Sequence, residues 1–146
     1  MSSPIPVTRP SLPPFEEYTS LIKSIWENRW LTNSVPLHPQ LEENLNPYLR
    51  LPYLSLYTNS HNALEAAIHA CNLPKGSEVI TTPYTFASTT HAIVRCGLKP
   101  VFCDISYEDY NIDVTKIDEL ITENTLAILL VNCYDTPCIF EVITGM

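Results

Sequence analysis

An α/β fold with a mostly parallel sheet is predicted by three features of the 146-residue sequence. The first is the stretch from Lys75 to Ile105, which reads as strand, helix and strand in so few residues that the two strands must run parallel, joined by a crossover. The second is the continuation of that alternation: a helical pattern over Val114 to Ile121 is followed by an apolar strand over Leu126 to Val131. The third is the character of the strands, which are short and apolar on both faces, as parallel strands covered by helices must be.

Each element has its own signal. Glu78-Val79-Ile80-Thr81-Thr82 is a β-branched run behind a Gly, and Pro83 forbids its continuation as a central strand. From Thr85 the spacing turns helical, placing Phe86, Thr90, Ile93 and Val94 on one face, and Cys96-Gly97 supplies a stop. Leu98 to Ile105 is the second strand. Upstream, Pro4 to Pro14 cannot be helical and is expected to run extended as an arm over residues 1–14, followed by a body over 15–146. Phe15, Tyr18, Ile22, Ile25 and Trp26 recur at helical spacing and predict an amphipathic helix ending near Arg29. After a loop over Trp30 to Pro36, a short helix is expected over Pro39 to Tyr48, with Leu41 and Leu45 inward, and a strand over Leu51 to Tyr57.

Thr58-Asn59-Ser60-His61-Asn62 then turns into a helix whose expected inner face is Leu64, Ala67, Ile68 and Cys71. A helix start presents unpaired N–H groups and the positive end of a dipole, which suits a phosphate; Asn59 or Ser60 serving as an ordinary cap is the competing reading. Phe86 likewise has two readings, a core ring or a flat apolar ring offered to a ligand. Asp104 ends a strand where open α/β sheets place ligands, but an Asp capping a turn accounts for it equally.

Composition narrows the function. The net charge is -8 with no Lys/Arg run, which argues against a nucleic-acid or anionic-membrane partner. No stretch reaches the roughly 18 apolar residues of a membrane helix, and Pro4, Pro6 and Pro10 stand where a signal peptide needs an apolar core, so a cytoplasmic location is expected. Cys71, Cys96, Cys103, Cys133 and Cys138 contain no CxxC and fit small hydrophobes. With His38, His61, His69 and His91 they give no metal-ligand spacing, and no metal site is expected. Only three glycines are present and no GxGxxG turn, which leaves little room for an unrelated dinucleotide-binding domain.

The segment EVITTPYTFASTTHAIVRCGLKPVFCDI, with RWLTN, PLHPQLEE and TNSHNALEAAIHACNL before it and YNIDVTKIDELITENTLAILLV after it, resembles the DegT/StrS-type aminotransferases. These are pyridoxal-phosphate (PLP) enzymes of fold type I acting on nucleotide-linked ketosugars with an amino donor. The resemblance spans Val7 to Pro137 and corresponds to the first part of a longer family sequence. It implies an incomplete three-layer αβα large domain, an N-terminal arm with N-terminal helices, and a homodimer whose active site is shared between subunits.

Carried over residue by residue, the resemblance places the PLP phosphate at Ser60, His61 and Asn62, with the N–H groups of the latter two as contacts, and the pyridine ring against Phe86. The relatives have Gly at the position of Ser60, and a side chain there costs about 1 kcal/mol or more if the backbone needs positive φ. A Gly is also usual near Ser34 or Val35. Asp135 stands for a Gly and Ile139 for an acidic residue, while Glu141 to Met146 resembles nothing in the family.

The family's Schiff-base lysine and the acid beside the pyridine nitrogen match no residue here, and Lys23, Lys75, Lys99 and Lys116 flank helix ends and loops. The expectation is therefore an N-terminal fragment of a sugar aminotransferase, inactive as it stands. The alternative is a non-catalytic remnant that binds an intact paralogue.

Overall fold

The computed structural model describes residue 5, residues 8–32 and residues 35–138, without the side chain of Asp135. The chain divides into two compact units, Met1–Ser55 and Leu56–Met146. Expectations for Ser34 and Ile139, and for the segment from Glu141 to Met146, lie outside the described residues.

In the first unit, α1 spans Phe15–Asn28 and α2 spans Leu37–Leu49. Helix α1 ends as its periodicity predicts, at a left-handed Arg29 whose N–H donates to Ile25 O. Helix α2 starts two residues earlier than expected and carries Pro47 in its last turn, followed by a left-handed Arg50. Neither helix buries a residue, so Leu41 is not inward but half exposed.

In the second unit, α3 spans Ser60–Ala70, β1 Glu78–Thr81, α4 Ser88–Arg95, β2 Lys99–Phe102 and β3 Thr125–Ile128. The three strands form one parallel sheet, as the sequence predicts, and the structure gives their order as β2-β1-β3. Pro100 lies in β2, an edge strand, where a missing N–H costs no ladder bond. The centre strand β1 is buried on both faces because alternate residues enter two cores. Ile80 packs with Cys103, Ile112 and Ile117 on one face, and Val79 with Ile93 and Leu98 on the other, where Ile68 of α3 also packs. The result is a three-layer arrangement, with α3 and α4 against one face and the chain over 112–120 against the other.

Local chemistry sets the boundaries. Helix α4 stops at Gly97, whose φ is +78°; Gly97 N–H donates to Val94 O at 2.9 Å and Leu98 N–H to Ile93 O at 3.1 Å, satisfying two terminal carbonyls. At this same amino end of the sheet Glu78 ties three segments. Its carboxylate takes Lys99 Nζ at 2.8 Å and the Thr122 hydroxyl at 2.7 Å, and these bonds hold its pKa below the usual carboxylate value.

Three expectations are corrected. Leu51 to Tyr57 is not a strand: its backbone pairs with no strand among the described residues, and Tyr53 and Tyr57 lie exposed. Val114 to Ile121 is two successive 3-10 turns, Val114–Lys116 and Asp118–Leu120, because Asp113 Oδ1 caps Thr115 and Ile121 turns extended. Ile117 nevertheless reaches the core as expected, whereas Ile121 is half exposed. The inner face of α3 is Leu64 and Ile68, while Ala67 and Cys71 are exposed and border an apolar groove of about 200 Å³.

Candidate functional site at the carboxyl ends of the strands

Two helix starts and one turn meet at the end of the sheet where open α/β folds hold ligands. Helix α3 opens at Ser60 behind an extended Asn59, whose Oδ1 accepts the N–H of Asn62 at 3.0 Å. The Asn62 side chain reaches back to Thr58 Oγ1 at 3.0 Å. Ser60 has helical backbone and is not among the residues with positive φ, so its side chain imposes no backbone strain. The N–H groups of Ser60 and His61 have no acceptor among the described residues.

The β1-to-α4 turn is built from threonines. Thr82 Oγ1 accepts Tyr84 N–H at 3.1 Å, Thr85 N–H donates to Pro83 O at 3.0 Å, and the Thr85 and Thr89 hydroxyls meet at 2.9 Å. Thr89 N–H closes the turn on Phe86 O. This geometry pushes Phe86 outside the helix, so it is not on the face of Ile93: the buried face of α4 is Thr89, Ala92 and Ile93, Val94 is half exposed, and Phe86 is 82% exposed. The core reading of Phe86 is thereby removed. Its ring borders a cleft of about 490 Å³ lined by Pro83, Tyr84, Thr85, Val131, Cys133 and Tyr134, a size that suits a small ligand.

The far wall of that cleft is aromatic. Tyr84 and Tyr134 hydroxyls meet at 2.8 Å, and the Tyr110 ring stands 6.0 Å from each of the other two by ring centroid. The bond to Tyr134 and partial burial raise the pKa of Tyr84. The buried Asn111 fixes the loop beneath: its Oδ1 accepts Cys133 N–H at 2.9 Å while its amide donates to Asp109 and Thr136. Asp104, by contrast, caps locally, accepting the N–H of Ile105 and facing Lys116.

The two helix starts are tied to each other by His61. Its Nδ1 lies 2.9 Å from Ser88 Oγ and its Nε2 lies 3.0 Å from Glu65 Oε1. Glu65 is also paired with Arg95 of α4, and that guanidinium, with His61, holds its pKa below the usual carboxylate value. Of the residues singled out in the sequence, Ser60, His61 and Asn62 thus share one helix start, and the His61 to Ser88 contact brings them to the turn that carries Phe86. Ser88, Glu65 and Tyr134 were not singled out. The spacing of His61 and Glu65, four residues apart on one helix, was the available signal for that pair.

A parallel sheet with helix starts and an exposed ring gathered at its carboxyl edge has the arrangement in which open α/β folds hold ligands. The chain belongs to the DegT/DnrJ/EryC1/StrS aminotransferase family, whose sequence model matches residues 15–146. It is 50% identical over 137 residues to dTDP-4-amino-4,6-dideoxy-D-glucose transaminase of Escherichia coli, covering 94% of this chain and 36% of that protein. Its fold matches NtdA of Bacillus subtilis, solved with bound cofactor PMP, with a TM-score of 0.83 at 28% identity, over 89% of this chain and 30% of that one. It also matches DesI, solved in the presence of its TDP-sugar product, with a TM-score of 0.86 at 28% identity, over 99% of this chain and 36% of that one. The chain therefore spans about a third of the length of the relatives it matches.

Proposed function

We propose that these residues form the phosphate-binding and ring-stacking part of a PLP-dependent aminotransferase acting on nucleotide-linked ketosugars, and that they do not by themselves transfer an amino group. The observation that carries this reading is the junction of α3 and α4 through His61 and Ser88, with Phe86 exposed beside it. The group fits these residues in two respects. Free N–H groups at Ser60 and His61 suit a phosphate, and the Phe86 ring on the wall of the cleft suits a flat heteroaromatic ring. When bound, PLP supplies an electron sink for removing a proton from the carbon that bears nitrogen. The residues here bind and orient it: the start of α3 holds the anion, Phe86 fixes the plane of the ring, and the threonine turn sets the position of Phe86.

The reactive lysine is not supplied. A nucleophilic lysine needs a lowered pKa, but Lys116 is held by Asp113 and Asp104, which raise its pKa. Lys99 is bound to Glu78 at the opposite edge of the sheet, and Lys75 lies beside Gly97 at that same edge. Lys23 belongs to the other unit, paired with Glu27 on α1.

The whole protein in this reading is a cytoplasmic homodimer with an arm over residues 1–14 ahead of the body over 15–146. A second reading, a remnant that binds an intact relative without catalysis, is favoured by the exposed apolar side chains of α1, of which Trp26 is 78% and Phe15 72% exposed.

Titration of the 146-residue chain with PLP, followed by borohydride reduction and peptide mass spectrometry, tests the reading. Saturable binding weakened by Phe86→Ala, with no single lysine fully modified, is expected. One stoichiometrically modified lysine, or binding indifferent to Phe86→Ala, contradicts it.

A further inference from the structure

We propose that Ser88, His61 and Glu65 form a nucleophilic relay that makes Ser88 reactive toward activated carboxylic esters, an acyl-transfer chemistry separate from the cofactor reading and independent of PLP. The three groups are in line: Ser88 Oγ to His61 Nδ1 is 2.9 Å, and His61 Nε2 to Glu65 Oε1 is 3.0 Å. Both distances lie within hydrogen-bond reach, which is the geometric requirement for a serine activated by a base that a third group orients.

The protonation pattern follows from the partners. A carboxylate accepts only, so His61 Nε2 carries the proton donated to Glu65, and Nδ1 is left with a lone pair facing the Ser88 hydroxyl. The two ring nitrogens are exchanged relative to the arrangement of serine proteases, but each can take either role. Arg95 holds Glu65 ionised from the other side, which fixes the carboxylate on α3 while the nucleophile stands on α4. The charged or titratable groups known to face His61 and its partner are Glu65 on α3 and Arg95 and Cys96 on α4, whose thiol donates to Glu65 O.

Two further features fit the same chemistry. Ser88 is the first residue of α4, and its own N–H has no acceptor among the described residues, so an amide and the positive end of a helix dipole stand beside the nucleophile. Ser88 is also half-buried and the His61 side chain 30% exposed, which leaves the relay open to a small ester.

In the step proposed, Ser88 Oγ bonds to the acyl carbon while the bond from that carbon to the leaving oxygen breaks. The hydroxyl proton passes to His61 Nδ1 and from there to the leaving oxygen. Water then attacks the acyl group on Ser88, its proton taking the same path, and carboxylic acid and free Ser88 result. Nothing is oxidised or reduced.

The test is hydrolysis of p-nitrophenyl acetate by the full chain without PLP, together with labelling by a fluorophosphonate. An acetyl or phosphonyl group on Ser88 in peptide mass spectra is expected. So is a rate that rises with pH through one ionisation, and about a hundredfold loss of that rate in Ser88→Ala and in His61→Asn. Glu65 acts through His61, so Glu65→Gln should lower the rate and also shift the pH profile, whereas Lys23→Gln, on α1 in the other unit, should keep the labelling. Circular dichroism of each variant separates loss of fold from loss of reactivity. Label spread over several residues, or equal rates in the folded parent and Ser88→Ala, overturns the proposal.

Discussion

The resemblance implies a Gly where Ser60 stands, and the structure separates the two ways in which that could matter. Its backbone is helical, so the conformational conflict expected from a Gly position is absent, and any obstruction comes from the hydroxymethyl group itself. Ser60→Gly should therefore tighten the binding of PLP or inorganic phosphate while costing the helix about half a kcal/mol, since the cap is Asn59 and Gly is only that much poorer than Ser as a helical residue. Paired binding titrations and urea melts check this, and equal affinity in both proteins would mean that the side chain does not face the ligand. Asn62 carries a second consequence. Its N–H is already taken by Asn59 Oδ1, so a phosphate that used it would have to displace the cap. Asn59→Ala would then free the donor, raising phosphate affinity while lowering stability by about 1 kcal/mol.

The elements that were legible in the sequence are those whose signal is local. Helix α4 was readable because Gly97 ends it, and β1 because a β-branched run meets Pro83. The 3-10 turns over 114–120 were not, because Ile117 and Leu120 satisfy a helical period while Asp113 caps Thr115 and tightens the turn. Phe86 was expected on the helical face that carries Ile93 but lies outside α4, since the threonine turn delays the helix to Ser88. The strand over Leu51 to Tyr57 failed for a different reason: strand pattern without a ladder partner does not make a strand. His61 and Ser88 are 27 residues apart, and contact at that separation is decided by how α3 packs on α4, which no local pattern encodes.

That packing has a pH signature. The carboxyls of Glu65, Glu78, Asp109 and Asp113 all have folded pKa values below their ordinary ones, through Arg95, Lys99, Asn111 and Thr115 respectively. A depressed carboxyl contributes stability that is present above its unfolded pKa, near ~4, and that is lost as pH falls through the folded value. Midpoints of thermal unfolding should hold steady from neutral pH down to about 5 and then fall. Glu65→Gln should flatten part of that fall, and a midpoint that rises on acidification would contradict the assignment.

At the scale of the whole molecule, the described residues leave much apolar surface in water. Both edge strands of the sheet lack an outer partner among the described residues, the groove beside α3 is lined by Leu64, Ile68, Leu73 and Leu129, and neither α1 nor α2 buries a residue. Unpaired parallel edges and open apolar faces drive association. Light scattering and calorimetry should find a dimer, larger assemblies or poor solubility, and a monodisperse monomer with one cooperative transition would argue against it.

The central claim, that the start of α3 and the turn before α4 bind the phosphate and ring of PLP, is tested most directly by amide NMR of the chain titrated with PLP and, separately, with inorganic phosphate. Saturable shifts of the Ser60, His61 and Asn62 amides with both ligands, joined by Phe86 and its neighbours with PLP alone, are the result predicted. Shifts confined to other parts of the chain, or no saturable shift at α3 with either ligand, would mean that Ser60 begins an ordinary capped helix and that Phe86 serves some other purpose.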